Sequence, residues 1–223
     1  LRILRALRFS LLPGFRLYKS CVQAMRASTH LLPTVAVERI RQELLGALRL
    51  SSRIFELLSD FGLLETVLGL ETGNLAALLL GEDLLEPGRL SGSVEHFAQE
   101  IEGEVSRAEL LRLCLFCGEA AEDTLKRLKF SRRSQKLAAT LNRQLLALEN
   151  DTALDRLKRY RWLRDAGDCA PELLIAAHVL GRLPELDEIW SCYWNEFRVL
   201  RPLITGADLS GFDGPLVGRI LKE

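Results

Sequence analysis

The chain has 223 residues, 48% of them hydrophobic, and its 30 Lys/Arg balance its 30 Asp/Glu. That size fits one large or two to three small globular units. No apolar run reaches about 18 residues, so no helical membrane span is expected. The cysteines stand at 21, 114, 117, 169 and 192. An odd, scattered set argues against a disulfide framework and for a reducing, cytoplasmic setting. Leucine dominates, while β-branched and aromatic residues are few, a balance that favours helices over strands.

The neutral total hides blocks. Residues 1–53 hold ten Lys/Arg against two Asp/Glu, and residues 54–110 hold two against twelve. Residues 111–165 hold thirteen against seven, and residues 166–223 five against nine. Two readings fit separate basic segments: a polyanion held at more than one place, or solvated helix faces.

In chain order, residues 1–12 read as a helix closed by Pro13-Gly14. There is no initiator Met and no signal-peptide cleavage pattern, so the start reads as truncated. Residues 17–30 form a second helix. Thr34 can cap a third, running to about Leu50 with Val37, Ile40, Leu44 and Leu48 on one face. Ser51 or Ser52 starts a fourth, broken near Gly62. Residues 72–80 make a short apolar helix, and Gly81 to Gly92, with Pro87-Gly88, read as a loop. Helices are expected over 94–102, 106–117 and 119–129. Ser131 caps a long helix to about Glu149, and Asp151 opens another to about Ala166. Pro171 fits the first turn of the next, which ends near Gly181. Residues 185–200 place Trp190, Tyr193, Trp194 and Phe197 at spacings of three and four, a core stripe. No alternating strand pattern is found. The fold class is all-α, a multi-helix array.

Catalytic motifs are absent. There is no GxxxxGK[ST] or GxGxxG loop and no GxSxG elbow. Cys114-Leu-Phe-Cys117 is a lone CxxC in an apolar run, so both thiols are expected in the core rather than on zinc. The three histidines lack metal-ligand spacing and are expected on the surface or satisfied in the core. The pairs Glu82-Asp83, Glu122-Asp123 and Asp187-Glu188 lie on loops or helices, where neighbours diverge by about 100° and make poor metal cages.

The first helix carries more specific chemistry. Arg2, Arg5 and Arg8 in LRILRALRF form a slanting ridge, with Ile3, Leu4, Leu7 and Leu11 as its anchor. Planar, permanently charged guanidiniums suit a triphosphate and a base edge; a basic solvated face is the plainer reading.

With Gly14-Phe15, that stretch resembles the segment after the Glu-Asp-x-x-Arg motif of class II tRNA nucleotidyltransferases (CCA-adding enzymes) and bacterial poly(A) polymerases. VAVERIRQELLGAL at 35–48 is similar to the family's Glu-Arg-Ile-x-x-Glu helix, here Glu38, Arg39, Ile40 and Glu43. Residues 59–64 resemble the following Gly-Leu-Leu turn, and RLKFSRRS at 127–134 the turn before a long helix. PLITGADLSGFDGPLVGRILKE at 202–223 resembles the closing pattern. Residues 70–125 match poorly, Pro13 departs from the pattern, and no His-Asp phosphohydrolase region is present.

The resemblance implies a neck at 1–53, body helices at 54–150 and RNA-binding tail helices at 151–223, with the catalytic head before Leu1 missing. It implies a parent that adds CMP or AMP from CTP and ATP to the tRNA 3′ end, with Mg2+ held by the head. Arg2 matches the base-reading arginine, and Arg5 and Arg8 the further nucleotide-binding ones. Glu38, Arg39 and Glu43 lie on the helix that braces them. Candidate RNA contacts are Lys126, Arg127, Lys129, Arg132, Arg133, Lys158 and Arg159, with phosphate recognition dominant. Asp213-Gly214-Pro215 offers a cap for a last helix. No catalytic residue, metal ligand or obligate protein partner is assigned to this chain, and alone it is expected to be inactive. The alternatives are a poly(A) polymerase fragment and a non-catalytic all-α interaction module.

Overall fold

The computed structural model describes residues 1–103, 105–149 and 155–199. The all-α expectation holds: the described residues fold as an array of helices with one two-stranded hairpin. The Asp213-Gly214-Pro215 cap and the whole closing pattern at 202–223 lie outside the described residues.

The chain opens with α1 (Arg2–Ser10), which buries Ile3, Leu4 and Leu7, a spacing that keeps one helical face inward. Gly14, at φ +80°, turns the chain out of it. Helix α2 (Lys19–Ala27) runs into a 3-10 segment, Thr29–Thr34, that contains Pro33. Helix α3 (Val37–Leu48) packs across α1. Thr34 does not cap α3, whose N-cap is Ala36. The Thr34 hydroxyl instead donates to the Leu31 carbonyl at 2.8 Å, because the Pro33 turn intervenes. Helices α4 (Ile54–Asp60) and α5 (Leu64–Leu68) break at Gly62 as expected, and Gly69 closes α5 at φ +77°.

Helix α6 (Leu75–Leu85), capped by Asn74, corrects the loop expected from Gly81. Gly81 is a contact residue inside the helix: a Cβ there would lie 2.3 Å from Cδ1 of Leu115. The absent side chain lets α6 lie close against α8 (Arg107–Cys117). Gly73 has a similar role. Its added Cβ would meet the Phe116 ring at 2.2 Å, and Phe116 is stacked on Phe55 at 4.1 Å. Gly73→Ala should therefore destabilise the protein by about 1–3 kcal/mol, the usual range for overpacking. Urea unfolding checks this; an unchanged midpoint would show that the ring has room to move.

The helix expected over 94–102 is only α7 (Ser93–Phe97). Glu100–Glu102 form β1, paired antiparallel with β2 (Val105–Ser106). Glu100 is exposed, Ile101 buried and Glu102 intermediate, a period of two too short to read in sequence. The hairpin brings Glu102 to α10 (Arg132–Glu149), where it accepts the Ser131 N–H at 2.7 Å and the Ser134 hydroxyl at 2.5 Å. Ser106 then caps α8 in a reciprocal capping box with Glu109.

Helix α9 (Ala121–Arg127) precedes α10, and Asp155 caps α11 (Arg156–Ala166). The cap expected at Asp151 lies outside the described residues. Helix α12 (Ala170–Val179) has Pro171 in its first turn and buries nearly every side chain. A helix apolar all round belongs in the centre, and α12 packs against α6, α10, α11 and α13 (Leu186–Asn195). Cys114 and Cys117 are buried, as expected. Burial pushes both thiols up, Cys117 to about 12 even against a hydrogen bond with Thr124, so neither is a thiolate at neutral pH. No described helix is long and apolar enough to cross a membrane.

The polar heart of the array lies under α12. Glu172 is fully buried and accepts Nη1 of Arg107 at 2.6 Å. His96 Nε2 stands 3.2 Å from both Glu172 oxygens, so this histidine is a satisfied core residue. Arg107 also donates to the carbonyl and the carboxylate of Asp168. Burial alone would lower the Arg107 pKa; Glu172 and Asp168 more than offset it, and the guanidinium stays charged.

Candidate functional site

The ridge of α1 divides in three dimensions. Glu43 rises from α3 into the α1 interface and is only 5% exposed. Arg5 donates Nε and Nη2 to its Oε1 at 2.8 and 2.7 Å. Arg8 brings Nη1 within 2.9 Å of Oε2, a close ion pair off the angle of a hydrogen bond. Gly46, one turn along α3, makes room: a Cβ there would be 2.9 Å from Arg8 Nη1. Arg8 also lies over the Phe9 ring, 5.2 Å from its centroid.

One buried carboxylate thus holds two guanidiniums in fixed directions. The Arg5 charge is not consumed outright, because its side chain remains 54% exposed, whereas that of Arg8 is 28% exposed. Arg2 is exposed and has no partner among the described residues. It borders a groove of about 580 Å³ between α1 and α2, walled by Ile3, Ala6, Met25 and Leu32. On the other side, Arg8 joins Arg41, Arg49, Gln42, Gly46 and Glu102 around a cleft of about 460 Å³. Its arginines are engaged: Arg41 stands 3.5 Å from Glu102 and Arg49 donates to Glu109 at 2.6 Å.

Not all the expected bracing residues meet this cluster. Glu38 accepts Lys129 Nζ at 2.7 Å, a bond that lowers its pKa, and Arg39 is exposed. Glu43 alone of the three touches the arginines of α1.

The structure also sorts the basic candidates farther along. Lys126 is paired with Glu122 at 2.7 Å and Asp123 at 3.4 Å, which raises its pKa. Arg127 lies along Gly69 and donates to the Thr66 carbonyl at 3.1 Å. Lys129 holds Glu38 from a left-handed backbone at φ +55°. Arg159 donates to Glu185 at 3.1 Å, and Lys158 is exposed on the first turn of α11. Arg132 is exposed with no partner among the described residues, and Arg133 only approaches Asp168, at 3.9 Å. Lys136 closes the basic segment 126–136, and Arg143 was not singled out in sequence. Both are exposed on α10 without a described partner. Three basic residues at positions 0, +4 and +11 of one helix were the available signal.

Among the described residues, no group of three or more His, Cys, Asp or Glu is placed to hold a metal ion.

Residues 14–71 match the family model described as the probable RNA and SrmB-binding site of polymerase A. That match spans α2 to the end of α5 and includes Glu43 and its helix. Among solved structures, the chain is similar to a tRNA-processing enzyme in an apo form, with a TM-score of 0.63 at 21% identity. The likeness covers 100% of this chain and 59% of that one, and at this identity it shows the fold. No curated protein matches the chain. Over 14–71 the chain is thus similar in sequence to the RNA-binding segment of polymerase A, and throughout it is similar in fold to a tRNA-processing enzyme.

Proposed function

We propose that the chain is the neck (1–53), body (54–150) and tail (151–223) of a nucleotidyltransferase that binds tRNA and adds CMP and AMP to its 3′ end. The observation that carries this reading is the buried Glu43 clamp. The polymerase A-type segment that contains Glu43 is the one that fixes the arginine ridge directly before it. A rigid guanidinium pair beside a free Arg2 suits a nucleoside triphosphate. Arg5 and Arg8 meet the phosphates as oriented donor forks, and Arg2 meets the base edge of CTP or ATP. Held by a buried carboxylate, the forks need little reorganisation when substrate arrives.

In the full-length enzyme, Arg2→Ala should cut discrimination between CTP and ATP roughly tenfold or more, since a site built on base-edge hydrogen bonds penalises the wrong base. The ratio of kcat/KM values for the two nucleotides reads this. An unchanged ratio would remove Arg2 from base selection. The description of polymerase A favours a second reading, a poly(A) polymerase. A tRNA lacking its 3′ end separates the two: extension by three nucleotides supports CCA addition, and a long A tail supports the polymerase.

A further inference from the structure

We infer that the exposed face of α10, carrying Arg132, Lys136 and Arg143, is a phosphodiester-binding stripe for the RNA backbone. This rests on the RNA-binding reading above and joins Arg132, one of the first basic candidates, to Lys136 and Arg143 in one surface. At 100° per residue the three positions fall within about 40° of arc, with charges about 6 and 16 Å along the axis from the first. They share one edge of the helix, and Ala139 between them leaves a strand room to approach.

Three observations support the stripe. Most of the other basic candidates are already engaged: Lys126, Lys129 and Arg159 by carboxylates, Arg127 by a backbone carbonyl. Arg132, Lys136 and Arg143 have no partner among the described residues. Three exposed, unpaired cations on one helix edge are available to an external anion.

The second is shape. Lys136 and Arg143, with Arg133 and Thr140, line a cleft of about 470 Å³ between α10 and the turn at Gly167–Cys169. The third is charge. The far wall carries Asp165 and Asp168, and both are occupied, Asp165 by Arg164 and Asp168 by Arg107. Their partners soften the repulsion an arriving phosphate would meet. Arg133 approaches Asp168 only at 3.9 Å and can turn to a phosphate at little cost.

Each phosphate neutralised releases counterions, so the salt dependence of binding counts contacts. The probe is a fluorescently labelled tRNA transcript, titrated by anisotropy between 50 and 300 mM salt (roughly the range where such slopes are linear). Lys136→Ala/Arg143→Ala should weaken binding at low salt about tenfold or more and reduce the slope of log K against log salt by about two. Lys126→Ala/Lys129→Ala, which breaks internal pairs, should leave the slope as it is. Both positions changed in the stripe are exposed, and an unaltered thermal unfolding curve verifies folding. A slope unchanged in the stripe variant, with tRNA still bound by the parent protein, overturns the stripe alone. No tRNA binding by the parent overturns both the stripe and the RNA reading.

Discussion

Glu172→Ala should lower the stability of the protein by about 3–5 kcal/mol, the range for breaking a buried ion pair from one side. Glu172 is fully buried and Arg107 is 3% exposed, so the guanidinium cannot swing to water when its carboxylate is removed. Asp168 would remain as a partner, but its side chain is 70% exposed and neutralises the charge from the solvent side only. His96 Nε2 would lose its contact with Glu172 as well. For a chain of this size about 2–4 °C accompanies each kcal/mol, which gives a drop in Tm of roughly 10 °C. The pair is not itself a source of great stability, because both charges were desolvated to form it. Arg107→Met combined with Glu172→Leu should therefore unfold later than Glu172→Ala alone. Thermal unfolding of the two variants decides this. A loss under about 1 kcal/mol for Glu172→Ala would mean that water in the neighbouring cleft already solvates Arg107.

This cluster marks where sequence reading ends. Residues 96, 107, 168 and 172 lie on four separate elements, and no local pattern joins them. The helices themselves were legible, because a leucine-rich 3.6 period survives in α1, α3 and α10 whatever packs on it. The expectation at Gly81 failed for a tertiary reason. Glycine usually punctuates a chain, but here it is the contact that lets α6 lie on Leu115. The helix expected over 94–102 failed because three residues of alternation in β1 are too few to outweigh a helical prior. The serine cap expected at 131 holds its place, since a cap is a local bond.

The candidate site was half legible. The ridge of arginines and the VERIRQEL helix could be named from sequence, and Glu43 was singled out with them. What could not be read was the division of labour. Glu38 and Glu43 look equivalent on paper, yet they point about 140° apart around α3 by the helical repeat. One meets the arginines of α1 and the other meets Lys129. The basic candidates were likewise selected by local density, and density says nothing of whether a charge is already paired. Lys126, Lys129 and Arg159 are paired, while the sparser cations of α10 are open.

Glu43→Ala in the full-length enzyme should lower kcat/KM for nucleotide addition about a hundredfold, the scale of a loss of catalytic positioning. Glu43 is a positioning residue: it touches Arg5 and Arg8, and those arginines meet the substrate. Without it, Arg5 loses two charge-assisted bonds and Arg8 the carboxylate it pairs with among the described residues, so both forks sample many rotamers before they bind. The change in folding stability should be smaller, about 1.5–3 kcal/mol, because Arg5 and Arg8 can turn to water. Glu43→Gln separates positioning from folding. The amide fills the same space and can still accept from Arg5, but it no longer neutralises two cations. It should fold nearly as well as the parent yet show a raised KM for both CTP and ATP, with their ratio altered less than in Arg2→Ala. That contrast is what positioning requires: Glu43 aims the phosphate-binding forks, which are common to both nucleotides, while Arg2 reads the base. If Glu43→Gln instead shifted the ratio as strongly as Arg2→Ala, the clamp would be acting on the base-reading end of α1. If it left both KM values unchanged, the arginines of α1 would hold their directions without it, and their rigidity would have to come from Gly46 and the Phe9 ring.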